Sequence, residues 1–335
     1  NFWLISDKNK NVHAIDSCGP AANNANIEFY KNQGFSYIPS RGPLSALTVP
    51  GAVAGWKLAY DFSVKNLGGK IPISRLLFDA EQAAKEGIAV TNTLRNNIKS
   101  KSNQLVDVEG FKDVYLKNGK IPNVGDKLII PKLSNTFSLL IKNGLEDFYS
   151  GDVFSKIISD LDILGSPLNS DDFKNYKATF VDPLKLKIKD AKLFNLPPPT
   201  QGLASILILG LVDELSISCK NDVELIHNIV EITKAVFKIR DKYISDPRYM
   251  SVHLSEFLAK DFIKNLAKEI NFEKAAPWPS SSPGGDTVWL GATDAYGNTV
   301  SFIQSIYWEF GSGLVLPNTG ITMQNRGTSF SLDLK

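Results

Sequence analysis

The chain has 335 residues, 43% of them hydrophobic and 21% charged, with a formal net charge of +2, which is material for one large or two ordinary domains. That balance gives no reason to expect nucleic acid or a membrane surface as a partner and leaves a small molecule as the expectation. Only Cys18 and Cys219 are present, without a Cys-x-x-Cys pair, so a zinc ribbon and a disulfide framework are excluded. No apolar run reaches the roughly 18 residues of a membrane span, and residues 1–10 do not look like a secretory signal, which favours a cytoplasmic setting.

Phe2–Ser6 and Asn11–Ile15 read as two short strands around Asp7-Lys8-Asn9-Lys10. The abrupt opening on Asn1-Phe2-Trp3 reads as the middle of a domain. Asn24–Gln33 reads as a helix, and the loop Ser40-Arg41-Gly42-Pro43-Leu44 leads into Thr48-Val49-Pro50-Gly51-Ala52-Val53-Ala54-Gly55-Trp56, whose small residues permit close helix packing. Apolar spacing predicts a helix over Ile73–Glu86, capped by Gly87, and further helices over Lys132–Asn143, Gly151–Leu164, Asp171–Lys177, Leu203–Leu215 and Asp222–Arg240. Phe180–Leu193 alternates and reads as strands, stopped by Pro197-Pro198-Pro199.

After that the texture changes. Residues 272–285 carry prolines, three consecutive serines and two glycines, the composition of a flexible connection. Alternation then predicts a hairpin of Val288–Thr293 and Thr299–Tyr307 around Asp294-Ala295-Tyr296-Gly297-Asn298. Thr287 stands at the junction of linker and strand. A cut between Asp286 and Thr287 would give this threonine a free α-amino group with a reference pKa of about 7.7–8.0. Such an amine can take the proton of the threonine's own hydroxyl, so one residue supplies both nucleophile and base. The bland alternative is a threonine that opens a strand. If Thr293 pairs with Thr299, the ladder sets Thr287 opposite Ser305, either a second hydroxyl beside the nucleophile or an ordinary cross-strand pair.

Competing motifs are missing: no Gly-x-Ser-x-Gly elbow, Walker loop, His-Glu-x-x-His or EF-hand occurs. Gly311-Ser312-Gly313 lacks the rest of a dinucleotide site. His13, His227 and His253 form no triad and read as structural, and no ligand cluster calls for a metal or other cofactor.

With those residues in view, the chain resembles the γ-glutamyltranspeptidases, members of the N-terminal-nucleophile hydrolases. The resemblance rests on Thr48–Trp56, Ala83-Ala84-Lys85-Glu86-Gly87, Gly144-Leu145-Glu146-Asp147-Phe148-Tyr149-Ser150-Gly151, Leu196–Gly202, Gly285-Asp286-Thr287, Asp294–Asn298, Phe310–Gly313 and Gly320-Ile321. It implies an α+β fold, a four-layer αββα sandwich with a helix-rich large-subunit portion. It also implies a precursor that cuts itself before Thr287, with residues 1–286 in the large subunit and 287–335 opening the small one, one interwoven domain incomplete at both ends. Homo-oligomers are compatible with this reading.

The resemblance makes Thr287 the nucleophile and Ser305 its assisting hydroxyl, where the family often has threonine. The departures bear on substrate. Ser329 stands where γ-glutamyl enzymes carry an aspartate for the α-amino group, Arg326 where glutamine is usual, and Tyr307 in place of an asparagine. Arg326 can fork onto a carboxylate, and Arg41 is a second candidate. The string Asn325–Asp333 looks more like the family's acylase and amidohydrolase branch. The expectation is therefore an amidohydrolase or acyltransferase acting on γ-glutamyl or related carboxylate-bearing amides through an acyl ester on Thr287. The alternative is a silent, uncut relative that binds a small ligand.

Overall fold

The computed structural model describes residues 1–217, 219–278 and 287–333. Its main sheet grows from two local hairpins. Phe2–Ser6 pairs antiparallel with Val12–Asp16 across a turn in which the Asp7 carboxylate accepts the N–H groups of Asn9 and Asn11, both at 2.8 Å. Val288–Thr293 pairs with Thr299–Gln304, and that second strand then joins Phe2–Ser6. Thr179–Val181 adds to Val12–Asp16, giving a five-stranded antiparallel sheet in the order Thr179–Val181, Val12–Asp16, Phe2–Ser6, Thr299–Gln304, Val288–Thr293. The first strand is thus central, and the strand beginning after Thr287 lies at an edge.

The helix Ala52–Phe62 covers one face of this sheet, where Ile5, Ile15 and Ala59 are buried with Trp3, Phe62 and Val300 against them. Its approach is set by Gly51, where a Cβ would fall 2.1 Å from the Ser17 carbonyl oxygen, so no larger residue fits. Tyr149 locks the start of the helix from the other side: its hydroxyl donates to the Pro50 carbonyl at 2.8 Å and accepts the Ala54 N–H at 3.1 Å. The neighbouring Asp147 is buried, and its carboxylate accepts the N–H groups of Asp152 (3.1 Å) and Val153 (2.8 Å) and the Asn143 side-chain amide (3.1 Å). An anion is favoured there, because these N–H groups open the helix Asp152–Ile163 and have no partner within it. Val53, Leu140, Ile157, Leu161, Phe173 and Leu316 form the apolar core around this junction.

A second core lies under the helices Gly202–Glu214, Asp222–Tyr243 and Lys260–Glu269, which pack with the hairpin Leu184–Lys187/Lys192–Asn195 around Leu203, Leu207, Leu211, Ile232 and Val236. The mixture of helices and sheets is the expected α+β class. Of a four-layer arrangement, the described residues contain one large sheet with its covering helix; the other two sheets are two-stranded.

Three expectations shift. The alternating run Phe180–Leu193 is divided between the main sheet and a separate hairpin. The last strand ends at Gln304 rather than Tyr307, because Tyr307 takes φ of +82°, outside the range of a strand. The connection 272–278 is not loose as its composition implies but lies along the helix Asp222–Tyr243, with His227, Lys234 and Glu231 bonded to its backbone.

Asp147→Ala should lower the unfolding free energy by about 2 kcal/mol, since it strips partners from buried helix-start N–H groups. A urea midpoint unchanged from wild type, at unchanged slope, would contradict this account of the junction.

Candidate active site

Register decides which side chains meet at the open end of the late hairpin. Thr293 pairs with Thr299, and the ladder runs without a bulge to Val288 opposite Gln304. One further step sets Thr287 opposite Ser305. By the two-residue period both belong to the sheet face of Trp289 and Ile303, away from the helix Ala52–Phe62. Thr287 is exposed and not sealed in a core. The Ser305 hydroxyl accepts the Tyr307 N–H at 2.9 Å, so it sits where the strand breaks. Asp286, the other half of the expected cleavage site, lies outside the described residues.

The closed end of the hairpin is held by Asp294. One oxygen accepts the N–H groups of Tyr296 and Asn298, both at 2.9 Å, and the other accepts the Asn298 side-chain amide at 2.8 Å. The Asn298 side-chain oxygen in turn accepts the Lys8 N–H at 2.8 Å, tying the two hairpin turns together. Hydroxyls of Thr293 and Thr299 meet at 3.0 Å, and the Trp289 indole donates to Ser301 at 2.8 Å.

Beyond Ser305 the chain is pinned by Asn325, which is fully buried. Its N–H donates to the Ile306 carbonyl (3.2 Å), its side-chain oxygen accepts the Trp308 N–H (3.2 Å), and its side-chain amide donates to the Ser40 carbonyl (3.0 Å). These bonds hold Tyr307 at positive φ, a conformation that costs a non-glycine residue roughly 1–2 kcal/mol. They also place Arg326 beside Tyr307, with the guanidinium 4.5 Å from the ring centroid. Tyr307 stacks on Trp308 at 5.8 Å and 23°, and Arg41 lies 5.4 Å from the Trp308 ring. A cation–aromatic row thus links the two arginines singled out in the sequence. Asn325 and Trp308 were not, because their partners are remote in the chain and leave no local pattern.

The two arginines differ in what they hold. Arg41 donates to the carbonyl oxygens of Glu309 (2.8 Å) and Gly311, and burial pushes its pKa down against the opposing pull of Glu309. It fastens the loop 307–311. Arg326 is exposed and has no ion pair among the described residues. Its contact with Tyr307 is worth about 0.5–1 kcal/mol, less than a charge-assisted bond to a carboxylate at about 1.5–3 kcal/mol, so an anion would capture it. Ser329 closes the same short turn, its hydroxyl donating to the Arg326 carbonyl at 3.0 Å.

Cys18, two residues past the strand Val12–Asp16, is near enough to Arg326 to feel its charge. Desolvation and then Asp16 hold its thiol above the ordinary 9.0, with Arg326 pulling the other way. The thiol therefore stays protonated near neutral pH and is a weak competitor to a threonine hydroxyl. A groove of about 240 Å³ lined by His13, Phe180 and Asp182 lies at the sheet's other edge, four strands from Thr287, and takes no part in this arrangement.

The sequence profile of the gamma-glutamyltranspeptidase family matches residues 1–334. The chain belongs to this family. It is 42% identical over 332 residues to the oxamate amidohydrolase proenzyme of Klebsiella pneumoniae, a match covering 99% of this chain and 62% of that protein. To the glutathione hydrolase-like YwrD proenzyme of Bacillus subtilis it is 33% identical over 336 residues, again covering 99% and 62%. The crystal structure of cephalosporin acylase from Bacillus halodurans superposes with a TM-score of 0.88 at 30% identity, across 100% of this chain and 62% of that one. Helicobacter pylori gamma-glutamyltranspeptidase shares the fold, with a TM-score of 0.73 at 22% identity over 83% of this chain and 80% of that one. Against its first two relatives, this γ-glutamyltranspeptidase-family chain spans 62% of the full length.

The hairpin turn has a pH signature. The Asn298 side chain, against desolvation and with help from backbone N–H groups, holds the Asp294 carboxyl below the ordinary 3.8. A depressed carboxyl contributes stability that is complete above its unfolded pKa and is lost as pH falls through the folded one. The turn should therefore be intact above pH of about 4 and loosen only below 3.8. An NMR titration of Asp294 with its inflection at or above 3.8 would count against this turn geometry.

Proposed function

We propose that this chain is the nucleophile-bearing part of a self-processing N-terminal-threonine amidohydrolase or acyltransferase, cut between Asp286 and Thr287. The observation that carries the reading is the hairpin register, which runs unbroken to Val288 opposite Gln304 and, extended by one step, sets the exposed Thr287 across from Ser305. In processing, the Thr287 hydroxyl oxygen adds to the Asp286 carbonyl and the C–N bond breaks, leaving an ester and a free α-amino group. Water then hydrolyses the ester, releasing one fragment that ends at Asp286 and a second that begins at Thr287.

In turnover the freed amine takes the Thr287 hydroxyl proton as the oxygen attacks the substrate amide. The proton passes to the leaving nitrogen, an acyl ester remains on Thr287, and water or an acceptor amine takes the acyl group. The Ser305 hydroxyl supports the nucleophile from across the ladder. Arg326, held beside the site by Asn325 and Tyr307, receives the substrate carboxylate.

The substrate class follows from charge. A γ-glutamyl group carries an α-ammonium, and Ser329 offers a hydroxyl where an anion would be needed. Leaving that ammonium unpaired near Arg326 would weaken binding by roughly 2–5 kcal/mol. Amides that carry a carboxylate but no α-amino group avoid the cost. The relative at 42% identity, named for oxamate, agrees with this choice, since oxamate is such an amide.

The full-length protein should appear by intact mass as two fragments divided before Thr287, and Thr287→Ala should remain one inactive chain. A wild-type protein that stays uncut would instead establish a silent ligand-binding relative. Steady-state kinetics give a second test. Oxamate or glutaryl amides should exceed L-glutamate γ-nitroanilide in kcat/KM by more than tenfold, and Arg326→Ala should lower kcat/KM for the carboxylate substrates about 10- to 100-fold, or roughly 1.4–2.8 kcal/mol. Equal rates with and without the α-amino group would refute the charge argument.

A further inference from the structure

The helix Asp222–Tyr243 presents a row of side chains that the reaction above does not use. His227, Glu231 and Lys234 follow one another at helical spacing on one face, and each holds the segment that leads to the scissile bond. The His227 Nε2 lies 2.8 Å from the Phe272 carbonyl oxygen, which can only accept, so Nε2 carries the proton. Glu231 accepts the Ala276 N–H at 3.0 Å, and the Lys234 ammonium donates to the Ala276 carbonyl at 2.5 Å. The two charged groups are themselves 2.5 Å apart, with side chains only 3% (Glu231) and 12% (Lys234) exposed. Further along the same helix, Phe237 meets Trp278 with ring centroids 6.2 Å apart.

A buried ion pair is expensive to desolvate and seldom adds stability on its own account. Here its hydrogen bonds go to both main-chain polar groups of one alanine. Burial alone would raise the Glu231 carboxyl, but the Lys234 ammonium and the Ala276 N–H reverse the net shift, so the carboxylate is the form that grips. Because the contact reads backbone, it fixes a point along the chain rather than a side-chain type. Fully extended, residues 277–286 reach at most ~35 Å, so the clamped alanine sets the origin from which the linker approaches Thr287.

We propose that His227, Glu231 and Lys234 form a clamp that positions the processing linker for the cut before Thr287 and afterwards keeps the new C-terminal tail of residues 1–286 docked on the helix. This rests on the reading that the chain is cut there. The three are positioning residues, acting on the backbone of Phe272 and Ala276. Changing the length of free chain, by itself, would alter the closure rate only about twofold; a larger effect must come from the fixed origin and direction.

The test uses full-length precursor made by cell-free translation, with fragment formation followed over time. Ala276→Pro removes the gripped N–H without touching the helix, and the pair Glu231→Met with Lys234→Met removes both charges so that neither is left buried alone. Each should slow self-cleavage at least fivefold, while the cut fraction keeps kcat and KM within twofold of wild type. In the uncut Thr287→Ala precursor, trypsin should cut after Lys274 at least tenfold faster when the clamp changes are added. Wild-type cleavage rates in both clamp variants overturn the proposal, as does slowed cleavage accompanied by an equal loss of kcat, which marks a merely structural role. A wild-type chain that stays uncut refutes the Thr287 reading and the positioning role with it; the Lys274 protection then still shows whether the clamp itself exists.

Discussion

The antiparallel pairing of Val288–Thr293 with Thr299–Gln304 is the interaction on which the candidate site depends. A slip of one residue would move Thr287 to the opposite sheet face, because side chains alternate with a period of two. Several independent contacts oppose that slip. The Asp294 and Asn298 bonds fix the turn, the Thr293 and Thr299 hydroxyls meet within the first pair, and Phe2–Ser6 holds the second strand from its other side. Register is therefore specified both by local turn chemistry and by a strand from the far end of the chain.

Where the ladder stops, the site changes from hydrogen-bond order to electrostatics. Tyr307 at positive φ ends the strand, and Asn325 holds that bend by bonding on both sides of it, to Ile306 and Trp308, and to Ser40. The result is a row of Arg326, Tyr307, Trp308 and Arg41 in which the aromatic faces support two guanidinium groups. Only one of these cations is turned to solvent. Arg41 is consumed by carbonyl groups of the loop it closes, whereas Arg326 is exposed and lies over the Tyr307 ring. Ser329 in the same turn adds a hydroxyl rather than an anion beside that guanidinium.

The two largest apolar clusters divide the work. One supports the sheet through the Gly51, Asp147 and Tyr149 junction, and the other makes a helical platform on which the segment 272–278 lies. A stretch that composition marks as a simple connection thus has a fixed course before it reaches the hairpin. Proline and small residues weaken its own preferences, so its path is set by what the helix offers.

Much of the hairpin was legible in the chain itself, since alternation, an Asp-x-x-Gly-Asn turn and pairing between near neighbours are all local. Helices with a clear apolar stripe were legible for the same reason, within a residue or a few of their ends. The helix Asn92–Leu105 was not: only Ile98 and Leu105 of its residues are buried, too sparse a stripe to stand out from its Asn, Lys and Ser content. Lys260–Glu269 was also passed over, though Ile263, Leu266 and Ala267 keep helical spacing. The register that the sequence predicts from Thr293 opposite Thr299 holds to Val288 opposite Gln304, because one short turn relates the two strands. Asn325, Trp308 and the His227–Glu231–Lys234 face were not legible, since each acts on residues that only folding brings near. By itself the sequence determined the local hairpin and its register, because those rest on contacts between neighbours in the chain. The tertiary structure alone decided which arginine is free, what bends the chain at Tyr307 and where the linker is held, because those depend on burial and on partners distant in sequence.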